Sequence, residues 1–437
     1  MSFTSFDLHP NLLRAVEDMG FMVPTAIQKD AISPAMAGRD VLACAVTGSG
    51  KTAAFLLPIL HRLGAGRSRA ADGRPRTGTR VLVLAPTREL AAQIDEHRRQ
   101  LARHSGIGGA AIFGGVGMDP QEQAFRRGVD VIVATPGRLL DHLRFPYARL
   151  DEVQILVLDE ADRMLDMGFL PDIRRILKHL PARRQTLLFS ATLPSPIVAL
   201  AREMLRDPAT INVERPAAPA AGITHTAYPV PRELKSALLL ELLKPAEVRS
   251  VLAFTRTKHR ANRLAEFLVR QGVSADRIHG NRSQAQRTRA LAEFKAGRVR
   301  VLVATDIAAR GIDINELSHV VNFDVPGLPE DYIHRVGRTA RVDALGQALT
   351  LVAPEEEPDL RTIERGVGAR IQRLTVAEFD YGMKPSGRFE VPLAERIAAI
   401  RSRKTQERAR GHAGRKEGTR YLTTARSAST QAAHRPR

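Results

Sequence analysis

The sequence predicts an α/β protein: two tandem domains, each a parallel sheet flanked by helices, followed by a disordered basic tail. Three observations carry this. Short apolar runs recur along the chain, amphipathic stretches separate them, and a proline-rich segment splits them into two sets.

The first set comprises residues 81–84, 131–133, 155–158 and 187–189, with 41–43 leading into Cys44. The second comprises 251–254, 301–303, 320–323 and 349–352. Runs without polar alternation suit strands buried on both faces. Between them, residues 89–104 and 259–271 show the spacing of amphipathic helices. Such alternation gives βαβ units and parallel sheets. Pro216 and Pro219 bar a continuous helix or central strand from 214–222, which therefore reads as a linker. The expected layout is a leading segment 1–30, a first domain 31–213, the linker, a second domain 223–376 and a tail 377–437. The Gly- and Arg-rich stretch 64–79 reads as a loop.

Composition narrows the function. A chain of 437 residues exceeds one hydrophobic core, and 43% hydrophobic residues exclude wholesale disorder. Lys and Arg number 66 against 47 Asp and Glu, a net +19 that favours a polyanionic partner. Residues 382–437 hold 14 basic and 4 acidic side chains and few large apolar ones, hence the expected disorder of the tail. Aromatic residues are only 5% with no Trp, so base stacking is expected to contribute little. Cys44 is the single cysteine, which excludes an intramolecular disulfide and suits a reducing cytosol. With no signal-peptide pattern and no apolar run near the ~18 residues that span a bilayer, a soluble cytoplasmic protein is expected.

Ala45-Val46-Thr47-Gly48-Ser49-Gly50-Lys51-Thr52 matches a phosphate-binding loop, with Ala45 where a first glycine is usual. Backbone N–H groups of such a loop surround phosphate oxygens, Lys51 neutralises β/γ charge, and the Thr52 hydroxyl suits Mg²⁺. Asp159-Glu160-Ala161-Asp162 follows the run 155–158, at a strand end where functional groups gather in open α/β sheets. Asp159 suits Mg²⁺ held through water, and Glu160 suits the base that orients or deprotonates an attacking water. Together the two motifs specify a nucleoside triphosphatase.

With that tetrapeptide and the motifs around it, the chain resembles the DEAD-box RNA helicases, and more loosely their bacterial RhlE-like branch. The resemblance covers about residues 3–376. It implies tandem RecA-like domains, ATP and Mg²⁺ as cofactors, and RNA as partner, structured or duplex and held by its backbone. Ribosome-assembly or RNA-decay proteins are implied as companions, and no membrane. The segment Gly20 to Gln28 is similar to the family's adenine-reading segment: Phe21 and Gln28 would contact the base, with Phe3 as its upstream aromatic. A glutamine amide pairs with both N6 and N7 of adenine and so selects ATP.

Thr87, Arg88, Gly115, Thr135, Gly137 and Arg138 would form the RNA face of the first domain, and Gln284, Arg287 and Thr305 that of the second. Hydroxyls, Arg and backbone N–H are the usual phosphate contacts, which position without reading sequence. Ser190 and Thr192 would couple the two activities through Asp162, and Asp313 would face the ATP ribose. Arg338 and Arg341, three residues apart on one helical face, would act as fingers on the γ-phosphate. Val46 and Ala340 depart from the family's usual Gln and Gly without removing a catalytic group. Two rivals remain at this level: a DNA helicase or translocase on the same fold, and a non-catalytic RNA-binding clamp.

Overall fold

The computed structural model describes residues 2–45, 48–65, 78–213, 223–309, 317–339 and 346–383. The linker 214–222, the stretch 66–77 and all of the tail beyond 383 lie outside the described residues, as do the predictions made for them. The first sheet contains β1 (Val41–Cys44), β2 (Val81–Leu84), β3 (Gly109–Ile112), β4 (Val131–Ala134), β5 (Ile155–Leu158), β6 (Gln185–Ser190) and β7 (Ala209–Asn212). The second contains β8 (Ile223–Pro229), β9 (Val251–Phe254), β10 (Ala275–Ile278), β11 (Val301–Ala304), β12 (His319–Asn322), β13 (Gly346–Val352) and β14 (Gln372–Arg373). Every pairing is parallel.

Strand order is β3-β4-β2-β5-β6-β1-β7 in the first sheet and β10-β11-β9-β12-β13-β8-β14 in the second. Adding seven to each label of the first gives the second, so the chain repeats one topology. This is the RecA-like architecture that the motifs imply. The compact unit that carries both sheets ends at Phe379.

Central strands are buried on both faces, and their side chains alternate between two cores. Val81, Val83, Val157 and Phe189 join the core that contains Phe55 and Leu57 of the helix Lys51–Ala65. Leu82, Leu84, Leu156 and Leu188 join the opposite core with Met164, Ile173 and Leu200. That helix continues through Gly64 and Ala65, two residues into the stretch expected to be a loop, because Leu60 and Leu63 still face its core.

In the second lobe the helix Lys235–Leu242 opens on a fully buried lysine. Its ammonium donates to the Phe323 carbonyl (2.9 Å) and to the Glu356 carboxylate. Burial holds Lys235 below its ordinary pKa, against the pull of Glu356. Lys235→Ala strands Glu356 in the interior and should destabilise the lobe by about 3–5 kcal/mol. Urea unfolding followed by circular dichroism checks this; a midpoint equal to wild type contradicts it.

Candidate nucleotide and nucleic-acid site

In a parallel sheet every strand ends at the same edge, and the strand order divides that edge in two. Loops after β5, β6 and β1 occupy one half; loops after β3, β4 and β2 occupy the other.

On the first half, the loop after β1 carries Gly48 and Gly50 at φ of 84° and 93°, backbone that favours glycine. A Cβ on Gly50 would also lie 2.6 Å from Gln28 Nε2. Val46 and Thr47 lie outside the described residues. Lys51 opens its helix, buried, and donates to the Ala45 carbonyl across the loop (3.1 Å). Thr52 is half-buried beside it. The Gln28 amide accepts from the Thr25 N–H (2.9 Å) and donates to the Gly50 carbonyl (3.1 Å), which ties the first segment to the phosphate loop. One lone pair and one N–H of that amide remain for a base edge. Phe21 is half-buried against Phe3, ring centroids 6.4 Å apart.

After β5, Asp159 and Glu160 are both buried. Glu160 adopts φ 52° and ψ 52°, left-handed backbone that costs a non-glycine residue of order 1–3 kcal/mol. Asp159 accepts the Glu160 N–H at 3.0 Å. Burial, with Glu160 close by and Lys51 opposing, pushes the Asp159 carboxyl up to about 6. Asp162 accepts both the N–H and the hydroxyl of Thr192, each at 3.0 Å. Ser190 Oγ accepts the Asp162 backbone N–H (3.3 Å) and donates to the Thr192 carbonyl (2.6 Å). Thus one hydroxyl reaches the carboxylate of Asp162, and the other reaches its backbone.

Arg338, from the second lobe and buried, lines the same cleft as Lys51, Thr52, Asp159 and Glu160. Arg341 and Asp313 lie outside the described residues. Arg335, not singled out from sequence, holds Asp306 with two hydrogen bonds (2.6 and 2.8 Å) and reaches the Asn322 side chain and the Asp324 carbonyl. It pins the helix Pro329–Val336, just before Arg338, to the ends of β11 and β12. The His-Arg-x-Gly-Arg pattern gives no signal of which arginine turns inward.

On the other half, Thr87 caps the helix Arg88–Leu101 by accepting from the Leu90 N–H. Gly115 sits at φ 84°, where a Cβ would collide with the Arg88 guanidinium. Thr135 precedes the helix Pro136–His142, Gly137 is exposed, and Arg138 donates to the Val116 carbonyl (3.1 Å). Arg138 therefore holds the segment after the glycine turn, and the Arg88 guanidinium lies close to the turn itself. In the second lobe Thr305 precedes the short helix Asp306–Ala309 and is half-buried. Gln284 and Arg287 both meet one carboxylate of the first lobe. Gln284 Nε2 donates to Glu89 (3.0 Å), and Arg287 forms an ion pair with the same carboxylate (2.9 Å), both side chains largely buried. The pair ties one lobe to the other. The sequence marks Glu89 only as the start of an amphipathic stretch, with no sign of this partner.

Comparison with known proteins places this geometry. A family model described as DEAD/DEAH box helicase matches residues 25–200, and one described as helicase conserved C-terminal domain matches 234–343. The DEAD-box ATP-dependent RNA helicase CshA of Geobacillus kaustophilus is 39% identical over 390 residues, 89% of this chain and 82% of the relative. The chain belongs to the DEAD-box helicase family. The CshA of Bacillus subtilis is likewise 39% identical, over 88% of this DEAD-box chain and 76% of its own. Among solved structures, S. cerevisiae Dbp5 bound to RNA and ADP BeF3 is similar with a TM-score of 0.74 and 31% identity, covering 86% of this chain and 95% of that one. The Geobacillus and Bacillus relatives bear the name CshA, and the RhlE-like branch stays an expectation of the sequence.

Does this DEAD-box cleft suit Mg²⁺? Among the described residues no three His, Cys, Asp or Glu side chains gather as an all-protein cage. One hydroxyl and two buried carboxylates fit an ion that shares its coordination with nucleotide phosphates and water. Without ligand, ionised Asp159 is a liability. Its folded pKa of about 6 exceeds the reference 3.8, so the cost is absent below 3.8 and complete above about 6. Asp159→Asn should therefore raise the melting temperature of the ligand-free, chelator-treated protein at pH 7.5. The gain should fall away toward pH 4, where the side chain at 159 is uncharged in both folded proteins. The ceiling is about 3 kcal/mol. A melting temperature that falls at pH 7.5 contradicts this.

Proposed function

We propose that this chain is an ATP-dependent RNA helicase that couples ATP hydrolysis to RNA binding and to local duplex unwinding or remodelling of RNA–protein complexes. One observation carries the reading: Lys51, Asp159 and Glu160 from the first lobe share a cleft with Arg338 from the second. The adjacent half of the same edge presents hydroxyls, arginines and glycine turns suited to an RNA backbone.

Phe21 and the free capacity of the Gln28 amide take the adenine, and the loop 45–52 takes the phosphates. Asp313 takes the ribose. Thr52 and, through water, Asp159 would hold Mg²⁺, which supplies charge neutralisation to the triphosphate when bound. Glu160 accepts the proton of the attacking water at its carboxylate. Lys51, Arg338 and Arg341 stabilise the charge that develops on the transferred phosphoryl group. Thr87, Arg88, Gly115, Thr135, Gly137, Arg138 and Thr305 contact RNA phosphates and sugars. Gln284 and Arg287 contact the same RNA from the second lobe, where Glu89 holds them. Backbone contacts favour one bent strand, so duplex yields locally. Asp162, with Ser190 and Thr192, links the two halves.

The basic tail adds sequence-independent phosphate contacts. Among the described residues no helix is long and apolar enough to cross a membrane. With a single cysteine, the cytoplasm is the proposed compartment, and RNA-decay or ribosome-assembly proteins the proposed companions.

Glu160→Gln tests the assignment. The variant should keep ATP and RNA binding, lose turnover and accumulate a closed complex with RNA, because phosphate contacts persist while the base is gone. RNA-stimulated phosphate release within a few-fold of wild type would refute the role of Glu160.

A further inference from the structure

The proposed RNA surface on the first lobe ends, in sequence, at Arg138, yet the helix that begins there leads to a feature that no assigned role uses. The helix Pro136–His142 is seven residues long, about 10 Å. His142 at its end is fully buried and packs against Phe125, ring centroids 5.3 Å apart. His142 Nδ1 and the Tyr147 hydroxyl are hydrogen-bonded at 2.9 Å. Tyr147 in turn carries Phe145 in a parallel stack, centroids 5.5 Å apart and planes 6° apart. The Arg126 guanidinium lies 5.1 Å from the centroid of the Tyr147 ring. Phe145, the outer member, leaves 48% of its surface in solvent.

An aromatic ring left half bare costs hydrophobic stabilisation, and here its orientation is fixed from beneath by a buried histidine. The surroundings are polar. Arg144 is exposed beside it and forms no ion pair among the described residues. Arg126 is paired with Glu122 (2.7 Å) and Arg149 with Asp151 (2.7 Å). A flat ring backed by Tyr147 and exposed among charges matches a ligand with apolar faces and an anionic backbone, more closely than it matches the broad apolar patch of a protein interface. The groove beside it runs from Phe145 and Pro146 to Met118, which follows the Gly114–Gly115 turn and Val116. Val116 is itself exposed and is the residue that Arg138 holds.

From these observations we infer that Phe145 is a base-stacking platform: an unpaired nucleobase of the bound RNA strand, roughly two or three nucleotides beyond the Thr135–Arg138 contacts, stacks on its open face, with Arg144 at the adjoining phosphate. The inference deepens the RNA-binding reading and rests on it. It adds a contact to base faces, tolerant of sequence, where the other proposed contacts are to the backbone. It also changes the expectation from composition: few aromatics does not mean none in the path of RNA.

The experiment uses the full chain, a non-hydrolysable ATP analogue and single-stranded RNA long enough to pass both lobes. 2-Aminopurine is placed at successive positions, and a second series carries an abasic site at each. Stacking on Phe145 should quench the fluorescence at one position in wild type and lose that quenching in Phe145→Ala. The same variant should bind the unmodified strand about 5- to 150-fold more weakly, the range for one stacked base. The slope of log affinity against log salt should stay as in wild type, because no phosphate contact is removed. Phe145→Trp should retain both affinity and quenching, and an abasic site at the quenched position should erase the difference between wild type and Phe145→Ala. Equal affinities with no position quenched, while wild type still binds RNA, would overturn the platform. A loss of affinity in Phe145→Ala that the abasic strand does not erase would make Phe145 structural and also overturn it. No binding by wild type would instead refute the RNA reading itself.

Discussion

Everything in this molecule depends on the parallel direction of its strands. Because each strand must be followed by a crossover, every strand ends at the same edge, and the loops that follow the strands of the first lobe emerge there. The order β3-β4-β2-β5-β6-β1-β7 then sorts those loops. The groups proposed for nucleotide follow β5, β6 and β1, and those proposed for RNA follow β3, β4 and β2. The border runs between β2 and β5. Glu89, which receives Gln284 and Arg287, lies just on the nucleic-acid side of it; Asp159 and Glu160, which share their cleft with Arg338, lie just on the other. Among the described residues the second lobe thus reaches the first on both sides of one line, at Glu89 and at the cleft that Arg338 lines.

The second lobe repeats the topology without repeating the chemistry. Lys51 and Lys235 both open the helix after the first strand of their sheets, and Asp159 and Asp324 both follow the fifth. Lys235, however, is occupied by Glu356 and a main-chain carbonyl, and Asp324 by Arg260 at 2.9 Å and by the Arg256 N–H at 2.8 Å. What is an open phosphate site in one lobe is an internal ion-pair network in the other.

How much of this was legible beforehand follows from burial. The central strands β2, β4, β5, β9 and β11 show as unbroken apolar runs because both faces are covered. The edge strands β3, β7 and β10 escaped because one side faces solvent: β10 reads Ala-Asp-Arg-Ile, and only Ile278 is fully buried. Motif residues were legible as types at fixed spacing, which named Lys51, Glu160 and Arg338 without placing them. What sequence could not supply was which partner each side chain takes. The Gln28 amide is already half used by Thr25 and Gly50, and Arg287 turns to a carboxylate of the other lobe. Arg335, between motif neighbours, is the one that holds the helix. Phe145 lies outside every motif, so only its stack with Tyr147 reveals it.

The central claim is that nucleotide and RNA communicate through the lobe-to-lobe contacts made at Glu89 and by Arg338. Reciprocal linkage measures it: the affinity for a non-hydrolysable ATP analogue with and without saturating RNA, and the affinity for RNA with and without the analogue. The account predicts that each ligand tightens the other by the same factor, on the order of 5- to 150-fold. It also predicts that Glu89→Ala or Arg338→Ala brings both factors toward one together. Independent binding in wild type, or coupling left intact in both variants, would contradict it.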